Sequence, residues 1–342
     1  MNAAKALLLK NKNDLGLTNV PLREPEPDEL LIRVRYAALC GSDYKLYQGT
    51  YTAPHAYPVI LGHEWVGTVE RIGSRAGSIW RKGDAVTGDC SLFCGECEAC
   101  RTDKNHCLHV EKRGITVDGA CAEYILVKEK HLYLCPPSAD PIVYSLAEPM
   151  AVVVQSLQDR IPSEAMRGVR RVLIIGSGGI GALSLFSFLD LGIPEIVIAD
   201  PAADKLAVID RLPFPEVRTL HTDLNGRDDP RNGFDLIVEA SGSGQALKQA
   251  IELLKPRGIL VNIGHQGPIE LPYGEIVKKS LTVIGSIGGT GGFHKAIELI
   301  RKYEPHIRSF ISKVVPMRDV PRYFQTGVQS SKHIKVVIDL QG

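Results

Sequence analysis

Residues 172–181 read VLIIGSGGIG, an apolar run of strand length that passes directly into three glycines with GxGxxG spacing. The first glycine permits a tight turn, the second lets a ligand approach the backbone, and the third lets the following helix pack closely on the strand. An apolar segment suited to that helix follows at residues 182–191. The free N–H groups at its start favour phosphate. The pattern predicts a dinucleotide-binding turn rather than a purely structural one.

Asp200 ends the next apolar run, residues 196–199, and lies 19 positions after Gly181. A carboxylate at this place accepts hydrogen bonds from the adenosine ribose hydroxyls, whereas it repels a 2′-phosphate. Residues 201–204 contain no arginine, and Lys205 is the cation placed to reach the ribose edge. The sequence therefore favours NAD over NADP.

The rest of this half of the chain alternates strand-like and helix-like segments. Strands are predicted at residues 217–220, 234–238, 259–263 and 282–284, and helices at 202–212, 245–254 and 276–279. Buried strands that alternate with helices form a parallel, doubly wound sheet. A helix at 293–302 and a closing strand at 333–340 follow, and that strand is expected to return to the first domain.

The first 150 residues are instead rich in strand signals. Leu30, Ile32 and Val34 alternate with their neighbours in a period of two, residues 65–72 form another strand candidate, and residues 120–126 alternate again. Glycines and prolines interrupt this half at short intervals. Such a pattern predicts a barrel-like domain with long functional loops.

A thiol, an imidazole and a carboxyl group are available at Cys40, His63 and Glu64. This mixed ligand set suits zinc and leaves a coordination position open. Asp43 is a candidate to hold the N–H of the imidazole. Taken singly, Cys40 is explained as well by a small buried side chain, and His63 by a core histidine. Together, upstream of a nucleotide site, they predict a catalytic metal.

Four further cysteines lie close together in the chain, at Cys94, Cys97, Cys100 and Cys107. Four thiolates at such spacing predict a tetrahedral, closed zinc site that holds a lobe of residues 90–110 together. The remaining cysteines show no partner pattern and are interpreted as ordinary thiols. No reaction needs to be attributed to this cluster.

The bulk composition excludes several classes. The chain has 342 residues, enough for two domains, and its 40 Lys and Arg against 39 Asp and Glu give no electrostatic reason for nucleic-acid or membrane binding. No apolar run reaches membrane length, and residues 1–20 lack a signal-peptide core. Clustered cysteines without an export signal indicate a reduced, cytoplasmic protein.

These motifs together resemble the zinc-dependent medium-chain dehydrogenase/reductase superfamily over essentially the whole chain: residues 40–43 (CGSD), 62–64 (GHE), the cysteine lobe, the glycine motif and Asp200. The resemblance implies an α/β protein with a GroES-like β-rich catalytic domain, residues 1–150 and 290–342, and a Rossmann NAD-binding domain, residues 151–289. The polyol (sorbitol), sugar and threonine dehydrogenase branch is the most similar, with weaker similarity to 2-deoxy-scyllo-inosamine dehydrogenases.

The resemblance also implies roles for single residues. The Glu-Pro pair of that branch corresponds to Glu148-Pro149, so that Glu148 binds the metal or holds its water, and Ser42 passes a proton outward. The residues that the resemblance adds to the NAD site are Gly179, Ile180, Ile263, Gly264, His265, Ile287, Gly288 and Gly289. Two departures stand out. Lys45 replaces a histidine of many relatives, and the spacer before Cys107 is one residue shorter, which makes His106 a conceivable substitute ligand.

We therefore expect an enzyme with two zinc ions per chain that transfers a hydride between NAD and a secondary alcohol of a polyol, sugar or cyclitol. An L-threonine-type amino-alcohol dehydrogenase is the alternative, ahead of a zinc-free reductase or a non-catalytic nucleotide-binding relative. Candidate substrate contacts are Lys45, Tyr47, Tyr51, His55 and Glu123. The family resemblance implies a homodimer or homotetramer, with residues 282–287 as an edge strand that pairs across a two-fold axis.

Overall fold

The computed structural model describes residues 3–138, 140–222, 233–264, 267–326 and 332–342. Its strands are β1 (Ala3–Asn11), β2 (Asp14–Pro21), β3 (Glu29–Ala38), β4 (Val59–Ile60), β5 (Glu64–Ile72), β6 (Ala85–Gly88), β7 (Ser91–Leu92), β8 (Glu111–Lys112), β9 (Tyr124–Lys128), β10 (Leu132–Leu134), β11 (Arg171–Ile175), β12 (Glu195–Asp200), β13 (Val217–His221), β14 (Phe234–Glu239), β15 (Leu254–Asn262), β16 (Thr282–Gly285), β17 (Ile311–Pro316) and β18 (Lys335–Asp339).

Its α-helices are α1 (Gly41–Gln48), α2 (Glu98–Thr102), α3 (Ala147–Val154), α4 (Ser163–Met166), α5 (Gly179–Asp190), α6 (Ala203–Ile209), α7 (Gly244–Leu253), α8 (Tyr273–Lys278), α9 (Phe293–Lys302), α10 (Glu304–Arg308) and α11 (Val320–Gln325). None of the helices in the described part of the chain has the length and apolarity that crossing a membrane requires.

The chain divides into two compact units. The first comprises Met1–Ala151, Gly288–Ser330 and Lys335–Gly342, and the second Val152–Ile287 and Ser331–Ile334. The closing strand β18 lies in the first unit, where it pairs antiparallel with β3.

The second unit contains a six-stranded sheet in the order β13-β12-β11-β14-β15-β16, and every neighbouring pair is parallel. Its central strands are runs of β-branched and leucine side chains that are buried on both faces, which is typical of parallel sheets covered by helices. Helix α5 begins at Gly179, three residues before the predicted start, because the glycine turn leads straight into it. This is the predicted doubly wound arrangement.

The first unit is built on antiparallel strands. The larger sheet runs β10-β6-β5-β3-β18-β17 with β9 also paired to β3, and a smaller sheet runs β2-β1-β4. Trp65 and Leu30 are fully buried in the shared core of these sheets. Strand β9 begins at Tyr124 rather than at the predicted residue 120, because the preceding backbone pairs with residues 61 and 62 instead. The predicted β-rich architecture of this unit is confirmed.

Candidate active site and metal centres

Cys40 and Asp43 are placed by the start of helix α1. Cys40 is the N-cap residue with an extended backbone, and its N–H donates to the Asp43 carboxylate at 2.8 Å. Gly49, with φ of 69°, ends the helix in the left-handed conformation that glycine adopts without strain. The short helix therefore holds a half-buried thiol and a fully buried carboxyl group three residues apart.

His63 and Glu64 are presented by the turn before β5. Gly62 has φ of 97°, and a Cβ atom there would lie 2.9 Å from the backbone nitrogen of Cys121. Only glycine fits this position, because a side chain would push the neighbouring backbone away. The close contact fixes the direction in which the chain leaves the turn. Both His63 and Glu64 become buried there.

The structure brings Cys40, His63 and Glu64 together. Their ligand atoms all lie within 4.8 Å of one another, as metal coordination requires. His63 Nδ1 is 3.8 Å from Asp43 Oδ1, and both atoms are buried without a hydrogen-bond partner among the described residues. Buried polar atoms without partners are rare, and a cation that fits the adjacent donor group is a physical explanation for these. The soft thiolate, the imidazole and the carboxylate fit zinc.

The electrostatics of this group also favour a cation. Burial raises the pKa of Asp43. Burial opposes a charge on His63, yet the Asp43 carboxyl group and Cys40 raise the pKa of His63 well above its ordinary value. Surroundings that favour a proton on an imidazole also favour a metal ion in its place.

Lys335, which the sequence did not single out, completes the surroundings of Glu64. Its ammonium group donates to the Glu64 carboxylate and, at 3.2 Å, to the Leu39 carbonyl oxygen. Burial opposes the charge on Lys335, but Glu64 and Cys40 raise the pKa of Lys335 above its ordinary value, so its ammonium form is favoured. One oxygen of Glu64 is therefore engaged by a cation of the protein itself.

Glu148 lies in the first turn of α3 and is buried. It is not part of the three-residue donor group, but the charges of His63 and Glu64 act on its carboxyl group. Burial raises the pKa of Glu148 to about 7. The structure thus provides two buried carboxyl groups whose charges act on or near His63. Glu64 is paired with Lys335, and burial brings the pKa of Glu148 close to neutral pH.

The remaining predicted residues of this site lie around helix α1. Ser42 Oγ is 3.4 Å from His63 Nε2, while Lys45 is exposed. Tyr51 is half-buried, and burial raises its pKa. His55 forms edge contacts with the rings of Tyr51 and Tyr57. Glu123 accepts a hydrogen bond from the backbone of Lys5, and Tyr47 packs on Phe324.

The four lobe cysteines form a second donor group, with all four sulfur atoms within 4.8 Å of one another. Cys94 Sγ lies 3.6 Å from Cys107 Sγ, and all four thiols are free of disulfides. Backbone N–H groups of Cys94 and His109 donate to Cys107 Sγ at 3.3 and 3.4 Å. Four sulfur donors fit a structural zinc ion and leave no coordination position open.

The thiols of the cluster differ in acidity. Hydrogen bonding from the Leu108 backbone lowers the pKa of Cys97 to about 6, whereas burial raises the pKa of Cys100 to about 12. His106 is not among the grouped donors, since its ring faces Asp103 at 3.7 Å. A single 3₁₀ turn, Lys104–His106, bridges the shortened spacer.

The lobe is fastened to a distant segment of the same unit by Asn105. Its amide donates to the Thr290 carbonyl oxygen and accepts from the Thr290 N–H, both at 3.0 Å. Thr290 Oγ1 donates to buried Asp89 at 2.6 Å. A Cβ atom at Gly288 would clash with the Asn105 side chain. Sequence patterns alone gave no signal for this network.

The glycine turn of the second unit is shaped as its motif predicts. Gly176 has φ of 96°, and a Cβ atom at Gly181 would fall on the Gly176 carbonyl oxygen. A Cβ atom at Gly178 would meet nothing within 4 Å among the described residues, so space remains above the start of α5. That space and the free N–H groups of the helix fit a pyrophosphate. Gly179 and Ile180 form the half-buried first turn.

Asp200 lies at the carboxyl end of β12, beside this turn. Its two oxygens accept hydrogen bonds from the N–H groups of Ser177 and Ala202, both at 2.7 Å. Ser177 Oγ is buried and has no partner among the residues described. Lys205 is half-buried in α6.

The other predicted cofactor residues divide between the two units. Ile263 and Gly264 follow β15 in the second unit, where a Cβ atom at Gly264 would clash with Glu239. Ile287 is exposed, whereas Gly289 is buried and lies with Gly288 in the first unit. His265 lies outside the described residues.

Comparison with known proteins agrees with this architecture. Residues 143–340, more than half of the chain, match the family model described as glucose dehydrogenase C-terminus. Residues 26–137 match the alcohol dehydrogenase GroES-like domain. The chain belongs to the zinc-dependent medium-chain dehydrogenase/reductase superfamily. The predicted superfamily and fold class are thereby confirmed, and the family identifies the protein as an alcohol dehydrogenase.

Individual relatives resemble this dehydrogenase over nearly its whole length. An L-threonine 3-dehydrogenase from Coxiella burnetii is 27% identical, with 97% of each chain covered. A D-altritol 5-dehydrogenase from Agrobacterium fabrum is also 27% identical, with 97% of this chain and 98% of the relative covered. The crystal structure of a zinc-binding dehydrogenase from Sinorhizobium meliloti, bound to NADP, superposes with a TM-score of 0.88 at 26% identity, covering 99% of this chain and all of the other.

Proposed function

We propose that this dehydrogenase uses zinc to transfer a hydride between NAD and a secondary alcohol of a polyol, sugar or cyclitol. The observation that carries the proposal is the buried donor group of Cys40, His63 and Glu64 in a chain that also has a nucleotide-type glycine turn. Three protein donors leave a tetrahedral zinc ion one position for water or substrate. The relatives that act on altritol and threonine both oxidise a secondary alcohol, as their names state.

We assign Cys40, His63 and one carboxylate, Glu64 or Glu148, to the catalytic zinc. When bound there, zinc supplies Lewis acidity that lowers the pKa of a coordinated hydroxyl group by several units. Asp43 orients the imidazole of His63, because its carboxyl group faces Nδ1. The four lobe cysteines hold a second, structural zinc, so that each chain carries two.

Ser42 is the residue that we assign to proton transfer from the substrate hydroxyl. Its Oγ lies 3.4 Å from His63 Nε2, within reach of a group bound beside the imidazole. Lys45 takes the position of the usual histidine and is exposed. An exposed ammonium group rather than an imidazole therefore stands in the last turn of α1.

We assign the hydride acceptor to NAD, which carries the redox chemistry. The glycine turn and the start of α5 support this for the pyrophosphate, with Gly176, Gly178, Gly179, Ile180 and Gly181. Asp200 supports NAD rather than NADP: it is buried and already accepts two backbone N–H groups, so a 2′-phosphate would meet a fixed negative charge. Lys205, Ile263, Gly264, His265, Ile287, Gly288 and Gly289 are further proposed NAD contacts.

An L-threonine-type activity is the second candidate, because a relative with that activity covers 97% of the chain. Threonine carries an ammonium and a carboxylate next to its reacting hydroxyl, whereas a polyol carries neutral hydroxyl groups. A specificity constant for L-threonine above that for every polyol and cyclitol would favour the amino-alcohol assignment.

The test is a substrate panel with separate NAD and NADP arms. The purified, zinc-loaded protein is mixed with polyols, sugars, cyclitols and L-threonine, and absorbance at 340 nm is followed. We expect reduction of NAD by at least one polyhydroxylated alcohol and a lower kcat/KM with NADP. Metal analysis of the same sample should find two zinc ions per chain. Absence of turnover with the whole panel in a sample that has both zinc ions would contradict the proposal.

The proposed domains are residues 1–150 and 290–342, with the zinc lobe at 90–110, and residues 151–289 for NAD. The two compact units support this division. We also infer a homodimer or homotetramer that pairs through β16, since β16 ends its sheet and Val283, Ile287 and Tyr273 are exposed. Eight free thiols, four of them in a metal-type cluster, support a cytoplasmic location.

A further inference from the structure

The first unit contains a cavity whose lining does not include Cys40, His63 or Glu64. It has a volume of about 770 Å³, is open to solvent, and is lined by the cysteine lobe and by strands β4 and β9. Arg113, His131 and Lys130 line it together with Glu29, Asp118 and Ile125. The volume suits a small-molecule ligand. Neither the zinc chemistry nor the NAD site uses this space.

Arg113 is the unusual member of the lining. Its side chain is nine-tenths buried, and its Nε atom has no hydrogen-bond partner among the described residues. Among the described residues its side chain donates one long hydrogen bond, from Nη2 to the Leu126 carbonyl oxygen at 3.4 Å. Burial lowers the pKa of Arg113 to about 10, which still leaves it charged at neutral pH. A buried guanidinium without a paired anion is costly.

The nearby carboxylates of Asp118 and Glu29 favour the charge on Arg113 from a distance, but neither forms an ion pair with it among the described residues. Both oxygens of Glu29 accept from Arg23, at 2.6 and 3.0 Å. Asp118 accepts from the Ile60 N–H at 2.9 Å. Within the described chain Arg113 forms no ion pair, and the cavity beside it provides the space for an external one.

His131 adds a second buried donor to the same wall. It is 3% exposed, its ring stands edge-on to Phe93, and its Nδ1 atom has no partner in the part of the chain that the structure describes. Burial and the charges of Lys130 and Arg113 lower the pKa of His131 to about 3. The neutral imidazole can therefore donate one hydrogen bond without adding charge, and the surrounding potential is positive.

We propose that this cavity is a binding site for a small anion, a carboxylate or phosphate that pairs with the Arg113 guanidinium and accepts a hydrogen bond from His131. Planar guanidinium groups form two parallel hydrogen bonds with either kind of anion. The ligand would be a polar metabolite of modest size, since Lys130 and Glu111 leave the mouth charged. The site is independent of the proposed dehydrogenase chemistry.

The test is thermal unfolding of the zinc-loaded protein in phosphate, in succinate and in chloride, at matched ionic strength. We expect a saturable rise in melting temperature with phosphate or succinate and none with chloride, because a ligand that binds only the folded state stabilises it by mass action. The anion that gives the larger rise in melting temperature identifies the anionic group of the ligand, phosphate or carboxylate. Equal melting temperatures in all three salts would overturn the proposal.

Arg113→Met separates binding from a structural role. We expect it to abolish the anion-dependent rise while its melting temperature in chloride equals or exceeds that of the wild type, since an unpaired buried charge has been removed. Arg71→Met is the matched control, because Arg71 is exposed and pairs with Glu24. It should keep the rise. An anion response in Arg113→Met as large as in the wild type would contradict the assignment.

Crystals of the wild-type protein grown with arsenate give a readout that needs no variant. We expect an anomalous peak within hydrogen-bonding distance of the Arg113 guanidinium. If Arg113→Met does not fold, Arg113→Lys replaces it, and we expect at least a tenfold weaker anion affinity because the forked donor is lost. Wild-type crystals at saturating arsenate without a peak at Arg113 would refute the site.

Discussion

Lys335 donates a buried hydrogen bond to Glu64 although 271 residues separate the two in the chain. The lysine opens β18, which pairs with β3, and the glutamate opens β5 on the other side of β3. The closing strand thus delivers a cation to one member of the proposed zinc site. One oxygen of Glu64 thereby has a protein partner whether or not the group contacts the metal.

Replacing Lys335 by Met should leave the Glu64 carboxylate buried without its partner. Breaking a buried ion pair in this way costs about 3 to 5 kcal/mol of the free energy of unfolding. Urea denaturation of the zinc-loaded protein measures it, with Lys313→Met on exposed Lys313 of β17 as the control. In the double variant with Glu64→Gln, part of the loss should be recovered. Fully additive effects would show that the pair is not coupled.

Replacing Cys107 by Ser should remove one zinc ion per chain. The four sulfur atoms act as one group, so loss of one donor weakens the closed site. Mass spectrometry under native conditions should find one zinc in Cys107→Ser and two in Cys135→Ser, whose thiol is buried outside both donor groups. A loss of zinc in Cys135→Ser, or none in Cys107→Ser, would count against this cluster.

Two glycine-to-alanine variants should affect different properties, stability in one case and NADH affinity in the other. Gly181→Ala places a methyl group on the Gly176 carbonyl oxygen, so it should lower the melting temperature by several degrees. Gly178→Ala meets nothing within 4 Å among the described residues, so it should fold normally but raise the dissociation constant of NADH at least tenfold. Calorimetry and NADH fluorescence measure the two properties. Normal NADH binding by a folded Gly178→Ala variant would exclude close approach of the cofactor there.

His131 should make stability depend on pH in a defined direction. Burial and neighbouring cations lower the pKa of His131 to about 3 in the folded protein, whereas in the unfolded chain its pKa is near 6.5. Below about pH 6.5 the unfolded chain therefore binds one more proton than the folded protein. The free energy of unfolding should therefore fall as the pH drops from 7 to 5.5 in chloride buffer. His131→Asn should show a shallower slope over that range, by urea denaturation. An identical slope would mean that His131 titrates normally.

The parts of the site that sequence analysis predicted carry either a local motif or a characteristic set of metal-ligand residue types. The glycine turn, Asp200 and the cysteine lobe each follow from local spacing, because a turn, a strand end or a metal loop imposes it. Lys335 and Thr290 were missed, since their partners Glu64 and Asn105 are reached only through strand pairing and tertiary contacts. Arg113 gave no signal either. An isolated arginine in a loop does not reveal that its surroundings are buried.

We assign Cys40 to the chemical step and the glycine turn to nucleotide binding. The Cys40→Ser variant tests this division directly. Its turnover is followed by NAD reduction at 340 nm with the best alcohol of the panel, and its NADH affinity by fluorescence. We expect loss of turnover by at least a thousandfold with NADH affinity within about threefold of the wild type. Turnover that survives the substitution, or an equal loss of turnover and NADH binding, would contradict it.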